Sequence, residues 1–245
     1  MIRAALTLIL IASLIEPSAA QSLDLGALTS ERNGQTSGQI IQLFGLLTVL
    51  AVAPGILVVV TSFTRFVIAF SILRMGIGLQ TTPANLILIS LSLFMTFHVM
   101  GPTFDRSWNE GLKPLMDNQI TEEQALEKIS GPFRDFMLKN VRDKDLSLFA
   151  DIARENRTVS PDAEEISLRE LVPAFMISEI RRGFEIGFLI LVPFLVIDLI
   201  VATITMAMGM MMLPPTVVAL PFKILFFILI DGWNLLVGSM MRSFL

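Results

Sequence analysis

Residues Glu185 to Asp231 read EIGFLILVPFLVIDLIVATITMAMGMMMLPPTVVALPFKILFFILID, an apolar run with a sharp break at Pro214-Pro215. The part before the break, Glu185 to Met212, is long enough to cross a bilayer, which requires about 20 apolar residues. The part after it, Thr216 to Met241, returns as a second apolar arm. This succession of helix, break and helix predicts a helical hairpin of a membrane protein.

The N-terminal half of the chain contains a similar apolar region. Three apolar segments are predicted as its helices: Ile40–Val60, Phe63–Leu79 and Ala84–Met100. Pro54-Gly55 interrupts the first segment, and Gly101-Pro102 is predicted to close the third, because proline lacks the N–H that continues a helix. Residues 40–102 are therefore predicted to form a first apolar hairpin.

The region between the two hairpins, residues 103–170, is polar and holds 25 of the 40 charged residues, fifteen of them acidic. Thr121 begins a capping-box pattern, and the helix that it starts is predicted to end near Gly131. Pro132 suits the first position of a further helix, and Asp145–Glu155 has an amphipathic rhythm. The sequence predicts a small helical domain here, followed by the second hairpin over residues 171–245.

The first 20 residues have the composition of a secretory signal peptide. Arg3 precedes a short apolar segment, and the small residues before Gln21 suit cleavage between Ala20 and Gln21. Residues 21–39 would then form a polar leader that starts on the outer side of the bacterial inner membrane.

The distribution of charged residues independently predicts the same orientation of the chain in the membrane. The segment 63–79 carries two arginines and no acidic residue, which places it on the cytoplasmic side by the positive-inside rule. The acidic region 103–170 is then periplasmic. The predicted fold is an all-α membrane protein with two helical hairpins that flank a small periplasmic helical domain.

The composition excludes most enzyme classes. The chain has no cysteine and a single histidine, His98, and it lacks the glycine-rich phosphate loop, the zinc-protease motif and the dinucleotide fingerprint. Its net charge of −4 disfavours nucleic acid as a partner. We therefore expect no catalytic site, metal or cofactor, and His98 is interpreted as a hydrogen-bonded core histidine.

A run of methionines precedes the break of the second hairpin. Five lie within seven residues: Met206, Met208, Met210, Met211 and Met212. Methionine is unbranched and polarizable, so such a cluster makes a conformable apolar surface that could close a pore around varied substrates. The alternative is that these are ordinary core methionines of a membrane helix.

The stretch PAFMISEIRRGFEIGF, Pro173 to Phe188, combines small residues with charges. Gly183 and Gly187 lie on one helix face and predict a close approach by another helix. Two pairs of opposite charges have the spacing for pairing within the helix: Glu179 with Arg182, and Arg181 with Glu185. The alternative interpretation of these charges is a solvated collar at the membrane edge.

Three further charges lie inside the arms of the second hairpin. If the hairpin folds about Pro214-Pro215, Asp198 and Asp231 lie at one depth and Lys223 about two turns nearer the bend. Two carboxylates at one level cannot both ionise at low cost, so they share a proton or a neighbouring subunit supplies a cation. We favour the subunit interface, because a proton relay needs more than one titratable level.

Four blocks of the sequence resemble the FliP family, membrane proteins of the flagellar type III export apparatus. These blocks are spread over residues 40–245: Thr61–Arg65, Leu79–Pro83 with Asn85, Pro173–Phe188, and Met210–Lys223 with its continuation to Trp233. The resemblance implies a core subunit of an export gate in the basal body, through which unfolded flagellar proteins cross the inner membrane.

The resemblance also implies an assembly. Five copies would combine with Q-type and R-type subunits into a helical gate that stands largely above the bilayer. Met208, Met210, Met211 and Met212 would form a gasket around the pore. Glu179, Arg182 and Lys223 lie in blocks that, in the family, make polar contacts between subunits. Together with the residues singled out above, Gly183, Gly187, Asp198 and Asp231, they are the candidate subunit contacts.

Two other functions stay open. Virulence injectisomes use a similar subunit in an equivalent gate, although the cleavable leader favours the flagellar branch. A proton-coupled channel or transporter could be built on Asp198, Lys223 and Asp231.

Overall fold

The computed structural model describes residues 35–155, 166–210 and 213–244. Every element of regular secondary structure in these ranges is a helix, which confirms the predicted all-α class. The predicted signal peptide, its cleavage site between Ala20 and Gln21, and most of the polar leader lie outside the described residues.

Nine α-helices follow one another along the described residues. Their bounds are α1 Gln35–Val59, α2 Phe63–Ile77, α3 Asn85–Ser107, α4 Lys113–Met116, α5 Glu122–Asn140, α6 Asp143–Glu155, α7 Leu168–Ala207, α8 Pro215–Leu229 and α9 Gly232–Arg242. A wider π-helical turn, Trp108–Leu112, joins α3 to α4 without a break.

The described residues fall into two units, with residues 35–53 in the first and residues from Pro54 onward in the second. In the first unit the structure describes the N-terminal part of α1, where Phe44 and Leu50 are exposed. The predicted interruption at Pro54-Gly55 is wrong, because α1 continues through Pro54 to Val59.

Two further predicted helix boundaries at prolines are also wrong. α3 continues past Gly101-Pro102 to Ser107, and α5 continues through Pro132 to Asn140. A proline inside a helix costs about 3 kcal/mol, and packing on both sides of it can offset that cost. Here α3 and α5 pack against each other, since the rings of Phe104 and Phe133 lie 5.8 Å apart.

The start of α5 forms as predicted. The Thr121 hydroxyl accepts the backbone N–H of Gln124 at 3.4 Å, and the Gln124 side chain accepts the N–H of Thr121 at 3.2 Å. This reciprocal pair satisfies two N–H groups that the first turn of a helix leaves unpaired.

α2 is the central helix of the main hydrophobic core. Its buried residues recur every three or four positions, and Phe66, Ala69 and Phe70 are fully buried. The facing side chains come from α3, α7, α8 and α9: Leu88, Met95, Phe194, Phe227, Leu236 and Met240.

The polar region packs on the first part of α7 through a second, smaller core. Its buried members are Met137, Val141, Leu171, Ala174 and Phe175. The Ser178 hydroxyl donates to Asp145 at 2.7 Å and accepts the backbone N–H of Arg142 at 3.1 Å. These bonds attach the start of α6 to α7.

Two helical stretches are long and apolar enough to cross a membrane. They are Asn85–Met116 and the 40-residue α7, in which a segment of 18 residues reaches a mean hydropathy of 1.6 and 2.6, respectively. The number rises to four if each of two interrupted helix pairs, α1 with α2 and α8 with α9, counts as one span. α8 and α9 are bent by 63° at their break.

Candidate functional site

An ion pair between Arg65 and Glu179 joins α2 to α7 in the interior of the protein. Both side chains are fully buried. The Arg65 Nε donates to Glu179 Oε2 at 2.8 Å, and Nη2 donates to the other carboxylate oxygen. This two-point contact is the geometry that the planar guanidinium favours with a carboxylate.

The segment that follows α9 completes the coordination of Arg65. Its Nη1 donates to the hydroxyl of Ser243 at 2.8 Å and to the Ser243 carbonyl at 3.3 Å. The guanidinium carbon lies 3.5 Å from the centroid of the Phe244 ring, a cation–π contact. Three separate parts of the chain therefore meet at one buried cation.

The predicted charge pairs of α7 have different outcomes. The pair of Arg181 with Glu185 is confirmed, at 2.7 Å between Nε and Oε1, with both side chains more than half exposed. The predicted pair of Glu179 with Arg182 is wrong, because Glu179 points into the core and binds Arg65.

Gly183 and Gly187 provide the close approach of α7 to α2. A Cβ atom at Gly183 would lie 3.0 Å from the Cβ of Ile68, and one at Gly187 would lie 2.9 Å from the Cβ of Ile72. Distances this short require a neighbour to move. The close helix approach predicted from these glycines thus occurs between two helices of the same chain.

A second buried cation, Lys223 on α8, joins three helices. Its Nζ donates to Asp198 Oδ2 on α7 at 2.6 Å and to the carbonyl of Gly76 on α2 at 3.0 Å. The other carboxylate oxygen of Asp198 is buried and has no hydrogen-bond partner among the described residues.

The predicted pairing of Asp198 with Asp231 is wrong. Asp231 is exposed at the break between α8 and α9, with a left-handed backbone (φ 51°), and Asp198 faces Lys223 instead. The cause is the position of the turn. Because α7 ends at Ala207 and α8 begins at Pro215, the midpoint of the hairpin lies near position 211, ahead of the two prolines.

The described methionines of the run lie at the end of α7 and in the turn that follows it: Met206, Met208 and Met210. Gly209 has a left-handed backbone (φ 75°), and its N–H bonds to the carbonyl of Met206 at 3.0 Å. The N–H of Met210 bonds to the carbonyl of Thr205 at 3.1 Å, which completes a glycine-terminated helix end. Met206, Met208 and Met210 are 56%, 68% and 37% exposed. Met211 and Met212 lie outside the described residues.

His98 is exposed, so its interpretation as a core histidine is wrong. It lines an open cavity of about 580 Å³ between α3, α5 and the segment after α9, together with Arg106 and Lys139. An apolar helix sequence does not by itself show which face a polar residue takes. Among the described residues no group of three or more His, Asp or Glu side chains is placed to hold a metal ion.

The sequence did not identify Arg65, Ser243 or Phe244 as members of the buried charge site. In the sequence Arg65 is one of two arginines in an apolar segment without an acidic residue, and it ends the matched block Thr61–Arg65. An arginine in one apolar segment and a glutamate in another, neither with a local partner, could have indicated this ion pair, since each buried charge needs a partner.

The chain is similar to known proteins over most of its length. The model of the FliP family matches residues 46–240. The flagellar biosynthetic protein FliP of Rhizobium meliloti (strain 1021) is 64% identical over 246 residues, 100% of each chain. That of Agrobacterium fabrum is 62% identical over 244 residues, also 100% of each chain. That of Bacillus subtilis (strain 168) is 47% identical over 215 residues, 88% of this chain and 96% of its own length. With a family match over most of its length and full-length relatives at this identity, the chain belongs to the FliP family.

Proposed function

We propose that the protein is a core subunit of the flagellar type III export gate, through which unfolded flagellar proteins cross the bacterial inner membrane at the basal body. The relatives named above are flagellar biosynthetic proteins, which favours the flagellar system over a virulence injectisome. The role in this proposal is structural and involves no catalysis.

The apolar surface of α7 carries the proposal. A helix of 40 residues is about 60 Å long, roughly twice the thickness of the hydrocarbon core of a bilayer. Apolar side chains are exposed along most of this length: Ile177, Phe184, Phe188, Leu189, Val196, Leu199, Ile200 and Ile204. Lipid alone cannot cover such a surface, so other subunits must cover part of it.

The assembly that we propose has five copies of this chain together with Q-type and R-type subunits. Residues 40–102 and 171–245 act as apolar hairpins, and residues 103–170 form a periplasmic helical domain. Glu179, Gly183, Gly187, Asp198 and Lys223 contribute by holding the arms of one chain in shape, since their partners lie within the chain. Arg182, which is half-buried, and Asp231, which is exposed, are available to a neighbouring subunit.

The methionine turn is the part that would seal the pore. Met206, Met208 and Met210 present flexible apolar side chains on the surface, and Met211 and Met212 would extend the same ring. Several copies of this turn around one axis would form an apolar constriction that adapts to the shape of a passing chain.

The mass of the detergent-purified complex tests the assembly. We expect five copies of this chain with additional small subunits, and a complex that contains only one or two copies would contradict the proposal.

Replacing the methionines tests the seal separately. Changing Met208, Met210, Met211 and Met212 to alanine should make the membrane permeable to small solutes without changing the mass of the complex. Met116→Ala is the control, because Met116 is 68% exposed but lies outside the turn. Unchanged permeability in an intact complex would refute the gasket.

A proton-coupled channel is the weaker candidate. Asp198 already faces a cation, Lys223, and Asp231 is exposed, so these two carboxylates do not share a proton in this structure. Asp198→Asn should accordingly impair folding or assembly, whereas the channel hypothesis requires intact assembly with lost ion flux.

A further inference from the structure

The open cavity near the end of α3 combines cationic side chains with an apolar lining, and it lies directly beyond an apolar helix face. We propose that this cavity binds the headgroup of an anionic phospholipid of the phosphatidylglycerol class, whose acyl chains lie along α3. The site shares no residue with the methionine turn, and lipid binding does not require a pore. Only the leaflet that supplies the lipid rests on the proposed periplasmic position of residues 103–170.

The lining of the cavity suits a ligand that is part polar and part apolar. Its volume of about 580 Å³ falls within the range of about 300–1,000 Å³ that is typical of small-molecule pockets. His98, Arg106, Asp135 and Lys139 bring polar groups to it. Six of the lining residues are apolar: Val99, Pro102, Pro132, Phe136, Met241 and Phe244.

The charged residues of the lining favour an anion. Two of them are basic, Arg106 and Lys139, and one is acidic, Asp135, which gives a formal charge of +1. Arg106 donates to Asp135 at 3.0 Å and, outside the lining, to Glu110 at 3.4 Å. Lys139 is exposed and forms no ion pair with another described residue. Its ammonium group is therefore free to bind a phosphate, and the exposed imidazole of His98 can donate a further hydrogen bond.

The helix face that leads into the cavity is apolar and exposed. Phe94, His98, Pro102 and Arg106 follow one another at four-residue spacing, so each lies one turn beyond the last on one side of α3. Phe94 is 74% exposed. Other large apolar side chains of the same part of α3 are exposed as well: Leu86, Ile89, Leu93 and Phe97. A free phosphate ion would leave this surface uncovered, whereas the acyl chains of a lipid would cover it.

The position of the cavity along α3 matches the headgroup level of a bilayer. Asn85–Met116 is long and apolar enough to cross a membrane, and the 19 residues from Leu86 to Phe104 include no charged side chain. At about 1.5 Å per residue, Arg106 lies about 32 Å along the helix from Asn85, close to the hydrocarbon thickness of about 30 Å. A lipid with its chains along this stretch therefore has its phosphate at the cavity.

The balance of charges also selects the headgroup. The phosphate of phosphatidylglycerol carries one negative charge, which matches the single positive charge of the lining. The ammonium group of phosphatidylethanolamine would need an acidic partner. Asp135 is the one acidic residue in the described lining, and it already accepts a hydrogen bond from Arg106. The site therefore favours an anionic lipid over a zwitterionic one.

Native mass spectrometry of the purified complex, titrated with phosphatidylglycerol, measures the binding. Lys139→Gln should weaken it about fivefold, the usual contribution of one basic residue near anionic lipid. Lys128→Gln is the matched control and should leave binding unchanged, because Lys128 is an exposed lysine of the same helix outside the cavity. Asp135→Asn should strengthen binding, since it releases Arg106 from a carboxylate. Equal binding by the Lys139→Gln and Lys128→Gln variants would overturn the proposal.

Two other ligands test the two halves of the site. Glycerophosphoglycerol is the same headgroup without acyl chains, and phosphatidylethanolamine has the same chains with a zwitterionic headgroup. Both should bind several-fold more weakly than phosphatidylglycerol. Equal binding of glycerophosphoglycerol would overturn the proposal of a lipid, and equal binding of phosphatidylethanolamine would overturn the choice of an anionic headgroup.

A labelling experiment tests the site without changing its charges. Because the chain has no cysteine, Val99→Cys gives it a single thiol in the cavity wall. Phosphatidylglycerol added to the delipidated complex should slow the reaction of this thiol with a soluble maleimide several-fold, and inorganic phosphate should not. An unchanged rate would overturn the proposal. A thiol that stays protected in the delipidated complex would also overturn it, because another subunit would then cover the cavity.

Discussion

The substitution Glu179→Gln removes one charge from the buried pair and keeps the shape of the side chain. Arg65 would then remain fully buried with no counter-charge, because its other contacts, Ser243 and Phe244, are neutral. Removal of one partner of a buried pair typically costs about 3–5 kcal/mol. Glutamine still offers one carbonyl acceptor, so we expect the lower end, about 3 kcal/mol, or roughly a hundredfold in the unfolding equilibrium.

The same helix supplies a matched control. Arg181 and Glu185 form an Arg–Glu pair on the surface of α7, and both side chains are 56% exposed. An exposed pair of this kind contributes about 0.3–0.5 kcal/mol, so Glu185→Gln should change stability by no more than that. The two substitutions are chemically identical and differ only in burial.

Equilibrium unfolding of the purified protein in detergent measures both changes. Trp233 reports on the core, because its ring lies 6.2 Å from that of Phe70 and 5.5 Å from that of Phe227. The double variant Arg65→Met with Glu179→Met should be more stable than either single variant, since no charge is left buried. Equal losses of unfolding free energy for Glu179→Gln and Glu185→Gln would refute the reasoning. Burial would then make no difference to the contribution of an Arg–Glu pair to stability.

Three further predictions, one of them with a control substitution, use the same unfolding measurement, and the last adds hydrogen exchange. Gly187→Ala should lower stability by about 1–3 kcal/mol, because the added methyl group presses on Ile72 at the α2–α7 contact. Gly101→Ala, in a helix with no atom within 4 Å of the new Cβ, should instead gain up to about 1 kcal/mol, and a loss as large as that of Gly187→Ala would contradict the crowding argument. Lys223→Met should cost about 1.5–3 kcal/mol by leaving the Asp198 carboxylate without its cation, and a neutral effect would mean that water replaces the lysine at no cost. Thr121→Ala should cost about 1 kcal/mol through loss of the cap of α5, and hydrogen exchange at the Gln124 amide should rise; unchanged exchange there would show that the cap is not formed in solution.

The helices could be predicted where local chemistry determines them. The capping box at Thr121 sets the start of α5, and Gly78, with a left-handed backbone (φ 92°), ends α2 close to the predicted Leu79. The amphipathic rhythm of residues 145–155 likewise matches α6. These features depend on a few neighbouring residues, and so the sequence contains the information directly.

The partners of the buried charges could not be predicted by the same rules. Arg65 and Glu179 are 114 positions apart, whereas Arg182 is only three positions from Glu179. A local rule therefore selects Arg182. The structure selects Arg65, because the arginine and the glutamate both lie in the α2–α7 interface, where neither charge is stable alone.

Prolines were the other source of error. Pro102 was interpreted as closing one helix and Pro132 as starting a new one, but α3 and α5 each continue through their proline, and the two helices pack against each other there. The midpoint of the second hairpin was likewise placed at Pro214-Pro215, whereas it lies near position 211. With the midpoint misplaced, Asp231 was predicted opposite Asp198, whereas the residue that faces it is Lys223.

The coordination of Arg65 also has a consequence in time. Ser243 is 178 positions later in the chain than Arg65, and Glu179 is 114 positions later. At a synthesis rate of about 5–20 residues per second, Glu179 is synthesised on the order of 6–20 s after Arg65, and Ser243 about 10–40 s after it. During that interval α2 carries an uncompensated charge, which opposes its transfer into an apolar environment. The central helix of the core is thus among the first to be synthesised and among the last to reach its final surroundings.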